Sequence, residues 1–242
     1  MKITTNTIYF AFALFAFACF ALLPQAWAAC REGCRTENNT VLGDDALISL
    51  THGTFNTAIG NEALFMNTTG GANTAIGALA LYSNSRGANN TAIGLQALWS
   101  NTIGLQNTAD GLVALASNTT GSFNTGIGTA ALAGNTTGNS NTAIGMEALF
   151  SNTTGSGNIA LGLDAGVNVT TGSNNIDIGN FGVDGESNTI RIGTIGTHTN
   201  AYVAGISGVT VAGGVGVRDR CQWSSWYHGL LGALQGSSET DG

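Results

Sequence analysis

The residues that could carry chemistry are few and scattered. The three histidines, His52, His198 and His228, lie in unrelated contexts. His52 takes a position that is usually Thr elsewhere in the chain, which suits a corner residue, and His198 sits in a Gly-Thr-His-Thr string that suits a structural hydrogen bond. Serine and threonine are abundant, but none stands in a nucleophile-elbow pattern with a base nearby in sequence. Strings such as Gly126-Ile127-Gly128 recur without a following helix pattern, so they do not read as dinucleotide loops. No histidine lies near Cys30 or Cys34, which argues against zinc, although the two cysteines could pair locally. We expect no catalytic, cofactor-binding or metal-binding residue, and no cofactor. Asn67, Asn118, Asn135 and Asn152 open Asn-Thr-Thr sequons that a glycosylating host could use.

Those sequons follow from a larger regularity. Asn56-Thr57-Ala58-Ile59-Gly60 returns with its Asn at 73, 90, 107, 124, 141 and 158, and the frame is already visible from Asn39 and still visible from Asn175. Nine starts lie 17 residues apart without insertion or deletion, which marks a repeat architecture. Numbering from the Asn, position 2 is mostly Thr, 3 mostly Ala, 4 mostly Ile and 5 always Gly. Position 9 is Leu in seven frames and position 15 is Gly in the first eight. The pattern predicts a short strand, a glycine corner, a second apolar contact and another glycine corner per repeat. Stacked at about 4.8 Å, such rungs give columns of like residues. We expect an internal column of Ile59, Ile76, Ile93, Ile127 and Ile144, and another of Leu64, Leu81, Leu98, Leu115, Leu132 and Leu149. The Asn at position 1 should form an amide ladder, and both glycines should supply left-handed corners. A short helical turn around Ala63-Leu64 stays open.

Two positions break the pattern in ways that matter. Asp110 occupies the Ile slot of the Asn107 frame, so an internal Ile column would make it a buried carboxylate. Phe65, Tyr82, Trp99 and Phe150 share position 10 and should form an outward stripe, either for packing between copies or for contact with carbohydrate or another surface. A core of one Ile and one Leu per rung is thin, and an oligomer is the natural completion.

The flanking segments have their own character. Residues 1–28 read as a secretory signal peptide, with Lys2 before an apolar run, Pro24, and Ala26-Trp27-Ala28 as the cleavage site. Such export favours disulfides and would leave Cys221 as the odd cysteine once Cys19 departs with the leader. Net charge is −7, and the six arginines are scattered, which excludes a nucleic-acid partner. Residues 29–38 form a short N-terminal segment, 39–187 the repeat domain, 188–217 a β-rich connector and 218–242 a patternless, disordered tail. The 17-residue frame ends after Gly179, and Asn188-Thr189-Ile190-Arg191-Ile192-Gly193 comes 13 residues after Asn175.

The NTAIG units resemble the head repeats of trimeric autotransporter adhesins. With their Ala-Leu and Asn-Thr-Thr-Gly elements, they are also similar to bacterial and phage tail-fibre-like proteins, as is the connector from Ile190 to Val211. The resemblance implies an all-β fold, a left-handed parallel β-roll or β-solenoid of 17-residue repeats, assembled as a homotrimer. It implies a non-enzymatic secreted or cell-surface fibre or adhesin head, with a host-surface or matrix ligand as a further partner. The unit here is longer than the adhesin repeat, and no stalk or membrane β-barrel pattern follows it. In the tail-fibre group this connector leads into a C-terminal chaperone domain. Read one nucleotide later, a back-translation of residues 219–242 spells a peptide that opens like that domain, so the tail reads as a frameshifted remnant. The alternatives are a truncated, decayed fibre product and an enzyme-bearing fibre that has lost its C-terminal domain.

Overall fold

The computed structural model describes residues 38–200; the leader, the four cysteines, His228 and the tail lie outside the described residues. Each repeat contributes one three-residue strand at positions 2 to 4. In chain order these are β1 (Thr40–Leu42), β2 (Thr57–Ile59), β3 (Thr74–Ile76), β4 (Thr91–Ile93), β5 (Thr108–Asp110), β6 (Thr125–Ile127), β7 (Thr142–Ile144), β8 (Ile159–Leu161), β9 (Ile176–Ile178) and β10 (Ile190–Ile192). All ten pair in parallel, in sequence order, to make one sheet. Register follows the repeat, Thr57 beside Thr74, Ala58 beside Ala75 and Ile59 beside Ile76. The described residues form an all-β parallel solenoid of 17-residue coils without a helix.

The inside of the coil is not the side that the sequence pattern suggested. Ala58, Ala75, Ala92, Ala109 and Ala143 at position 3 are fully buried. The isoleucines of position 4 face outward, and Ile76, Ile93, Ile127 and Ile144 keep 37 to 39% of their surface exposed. Period two assigns Thr and Ile to one face and Ala to the other but does not say which face is inside. The narrow coil decides it. The leucines of position 9, from Leu64 to Leu149, are fully buried and fill the interior with the alanines of positions 3 and 8. At Gly126, which replaces the position 3 Ala, even a methyl would approach Ala131 O to 3.0 Å. An inward Ile there would overpack.

The turn carrying those leucines is not helical. Residues at positions 7 and 9 have positive φ, as at Glu62 (55°) and Leu64 (54°), with an ordinary residue between. The leucines from Leu47 to Leu149 all take φ between 51° and 54°, a conformation that costs roughly 1 kcal/mol or more for a side-chain-bearing residue. The stacked coils hold it there: Leu64 N donates to Ala80 O of the next rung at 3.0 Å, and Leu81 N to Ala97 O at 3.0 Å.

Two ladders of buried asparagine run through the rungs. At position 1, Asn73 N and Nδ2 both donate to Asn56 Oδ1, at 3.0 and 3.1 Å, and Nδ2 also donates to Gly87 O at 2.8 Å. The second ladder, at position 12, was hidden in the sequons: Asn84 Nδ2 donates to Asn67 Oδ1 at 2.9 Å and to Gly87 O at 3.0 Å. The position 15 carbonyls from Gly70 to Gly155 therefore accept from both ladders. The second ladder is closed by apolar residues in the same slot, Leu50 in the first coil and Val169 in the eighth. Among the described residues no buried side-chain nitrogen or oxygen lacks a partner.

The two glycine columns have different reasons. Position 5 glycines do take positive φ, as at Gly94 (128°), and a Cβ there would also sit 2.5 Å from Gly111 O. Position 15 glycines do not have positive φ; they are required by close approach. A Cβ on Gly87 would lie 2.2 Å from Asn84 Oδ1 and 2.6 Å from Gly104 O. Beyond β9 the coil shortens: Ile190 pairs with Ile176, an offset of 14, so Thr189 rather than Asn188 takes the place of the ladder Asn. Its N donates to Asn175 Oδ1 at 3.2 Å.

These contacts rank two substitutions. Gly87→Ala should lower unfolding stability by about 3 kcal/mol through backbone and ladder displacement. Gly185→Ala, at φ 70° with nothing within 4 Å of the added carbon, should cost only about 1 kcal/mol. Denaturant unfolding compares them, and equal costs would show that approach distance is not the constraint.

Candidate functional surfaces

The outward face of the sheet is a wall of Thr at position 2 beside Ile at position 4, repeated at the rung pitch. Thr57, Thr74, Thr91, Thr108, Thr125 and Thr142 are half-buried, with Ile159 and Ile176 taking the same slot in β8 and β9. Next to the wall, beyond the position 5 glycine, exposed Leu95, Leu112, Met146 and Leu163 extend its apolar surface. Asp110 stands in this wall between its register partners Ile93 and Ile127 and is exposed. The expectation of a buried carboxylate there is thus corrected with the Ile column: its side chain points to solvent because position 4 does.

The position 10 aromatics do face outward. The Phe65 and Tyr82 rings stack with centroids 5.1 Å apart and planes 3° apart. Trp99 continues the stack at 6.4 Å from Tyr82, tilted by 32°. Trp99 and Phe150 are 41 and 42% exposed, and Ala116 and Ala133 occupy the same slot on the two rungs between them. Rings repeated at the pitch satisfy one another, so part of this stripe is explained within the chain.

The buried carboxylate is one that sequence reading passed over. Asp177 takes the inward Ala slot of β9 and is 2% exposed. Its register partner on β10 is Arg191, which holds Glu186 in a two-pronged pair: Nε donates to Oε2 at 2.8 Å and Nη2 to Oε1 at 2.9 Å. Burial pushes the Asp177 carboxyl above its ordinary range, with Arg191 pulling it back and Glu186 adding to the rise. The hydrogen bond from Arg191 holds Glu186 below the usual range. Glycines at 166 and 182 leave room for Asp177, since a Cβ on either would lie within 3.4 Å of its Oδ2. Charged residues thus follow the alanines of this column; the signal in the sequence was Asp177 and Arg191 in successive Ala slots.

The remaining candidates are structural. His198 Nδ1 accepts from Thr194 N at 2.9 Å, and His198 N donates to Thr194 O at 3.0 Å, the structural bonding expected of it. His52 is an exposed corner residue whose N donates to Thr68 O. Among the described residues no three His, Cys, Asp or Glu side chains gather as a metal site, and no helix is long and apolar enough to cross a membrane. The sequon asparagines are fully buried, and the nitrogen that would carry a glycan is committed: Asn118 Nδ2 donates to Asn101 Oδ1 at 2.8 Å and to Gly121 O at 3.0 Å. A glycan on Asn67, Asn118, Asn135 or Asn152 is incompatible with the folded coil.

Asn118→Ala should cost about 2 kcal/mol or more, because Asn101 Oδ1 loses its donor in a buried place; a loss under half that in chemical unfolding would count against the ladder's role. Asp177 and Glu186 have opposite pH signatures. The raised Asp177 gives stability that is present below the ordinary aspartate range and lost as pH rises through its folded value. Glu186 gives stability present above the ordinary glutamate range and lost as pH falls through its lowered value. Asp177→Asn should remove the first loss alone, so its gain in melting temperature is larger at about pH 7 than at about pH 4; an equal gain at both would refute the assignment. Compared with known proteins, the chain matches no family model, no curated protein and no solved structure.

Proposed function

We propose that the chain is a non-enzymatic, exported structural protein that acts through its repetitive surface and completes that surface by associating with copies of itself. A repetitive β-solenoid fits a structural, fibre-like role. The observation that carries the oligomer is the Thr/Ile wall: a nearly uncharged face repeated in register along eight strands, with its isoleucines partly open to solvent. Contiguous exposed apolar surface of this extent marks an interaction site. With its flanking leucines the eight-rung wall is about 38 Å long and about 14 Å wide, which offers about 1,000 Å² to a pair of copies. That is the lower edge of a stable interface, and a third copy closing on the same walls would cover both partners further, in keeping with the homotrimer expected from the adhesin-head resemblance. The leader-like residues 1–28 support export, to the medium or the cell surface.

Sedimentation equilibrium of the exported chain at micromolar concentration should show a trimer. Ile93→Lys with Ile127→Lys, both on the exposed wall, should weaken association at least about tenfold by burying charge in the contact, with the solenoid intact by circular dichroism. A wild-type monomer throughout, or a trimer indifferent to the two lysines, would overturn the reading.

A further inference from the structure

We propose that assembly through the wall is coupled to proton uptake at Asp110, so that acid tightens it. This rests on the self-association reading above and adds its regulation. Each of the eight strands from β2 to β9 places two residues outward, and of these sixteen only Asp110 is charged. Its surroundings hold no compensating cation. The register partners are Ile93 and Ile127, Thr108 shares its strand, and Gly111 and Leu112 follow. The ionisable groups in the turns after neighbouring strands are Glu62 after β2, Glu147 after β7 and Asp164 after β8, all acids, with Asp44 and Asp45 after β1. Of the two arginines among the described residues, Arg191 on β10 is paired with Glu186 and Arg86 belongs to the turn that bears position 14.

The place of β5 in the sheet gives the same consequence for parallel and for antiparallel copies in full overlap. It is the fifth of ten strands, next to the midpoint. Parallel copies in register bring Asp110 opposite Asp110; antiparallel copies in full overlap bring it opposite β6, one rung or about 4.8 Å away. Either way the carboxylates of partner copies meet inside an apolar contact. Like charges at that distance and out of water cannot both stay ionised, and the pair retains a proton that the separate chains release. Association then binds protons, and by linkage it strengthens as pH falls.

Sedimentation equilibrium of the exported full chain at about pH 7.5 and about pH 5 tests this, on wild type, Asp110→Asn and, as a control off the wall, Glu62→Gln. Asp110 is exposed in the single chain, so its substitution leaves the fold intact, which far-ultraviolet circular dichroism checks. The wild type and Glu62→Gln should associate at least about tenfold more tightly at the lower pH, the equivalent of one pKa unit on one carboxyl. Asp110→Asn should associate at both pH values as tightly as the wild type does in acid. If Asp110→Asn keeps the wild-type pH dependence, or gains nothing at neutral pH, the coupling is overturned while the oligomer stands. If no variant associates at either pH, both the coupling and the self-association reading fall.

Discussion

The structure depends on how closely one backbone rung can lie on the next. At position 15 a glycine carbonyl receives two asparagine amides, one from each ladder, as Gly87 O does from Asn73 and Asn84. The place where that glycine's side chain would be is already filled by Asn84 Oδ1 and the next glycine's carbonyl. The amides satisfy a corner that would otherwise bury bare polar backbone, and the missing Cβ lets them reach it. Removing either element would separate the rungs, and every other column is spaced by the same contact.

A coil closed this tightly has little interior. Alanine is the residue that most rungs turn inward from the strand, and one leucine per turn fills what remains, in a left-handed conformation that neighbouring rungs hold in place. The apolar core is therefore modest, and buried hydrogen bonds carry a large share of the specificity, since each unsatisfied amide would cost about 1 to 3 kcal/mol. The same narrowness sends isoleucine outward. An apolar wall on the surface is thus a consequence of the small core, and it links the packing of one chain to its association with others.

Solenoids need ends that differ from their middles. Here the change comes over two coils: Gly166 and Val169 replace Leu and Asn, the repeat shortens to 14 residues, and Asp177 and Arg191 enter the inward alanine column. A carboxylate and a guanidinium in successive inward slots do not offer an apolar surface to another rung. The cost of burying Asp177 is offset in part by Arg191, which Glu186 in turn orients.

Much of this was legible in the chain itself. The 17-residue spacing pointed to parallel stacking in register, because stacked coils of one length bring like residues together, and it located the strands from β1 to β9, the leucine column and the first asparagine ladder. Alternation showed that Ala58 and Ile59 lie on opposite faces but could not say which was inside. Cross-section decided that, and cross-section arises only when the coil closes. The second ladder read as sequons because an Asn-Thr-Thr string looks alike whether its amide is solvated or buried. Position 15 glycines read as corners because a local pattern reports backbone freedom and not the approach of a residue 17 positions away. Asp110 and Asp177 exchanged roles for the same reason: the sequence shows that a carboxylate interrupts a column, and only the closed coil determines whether that column faces water.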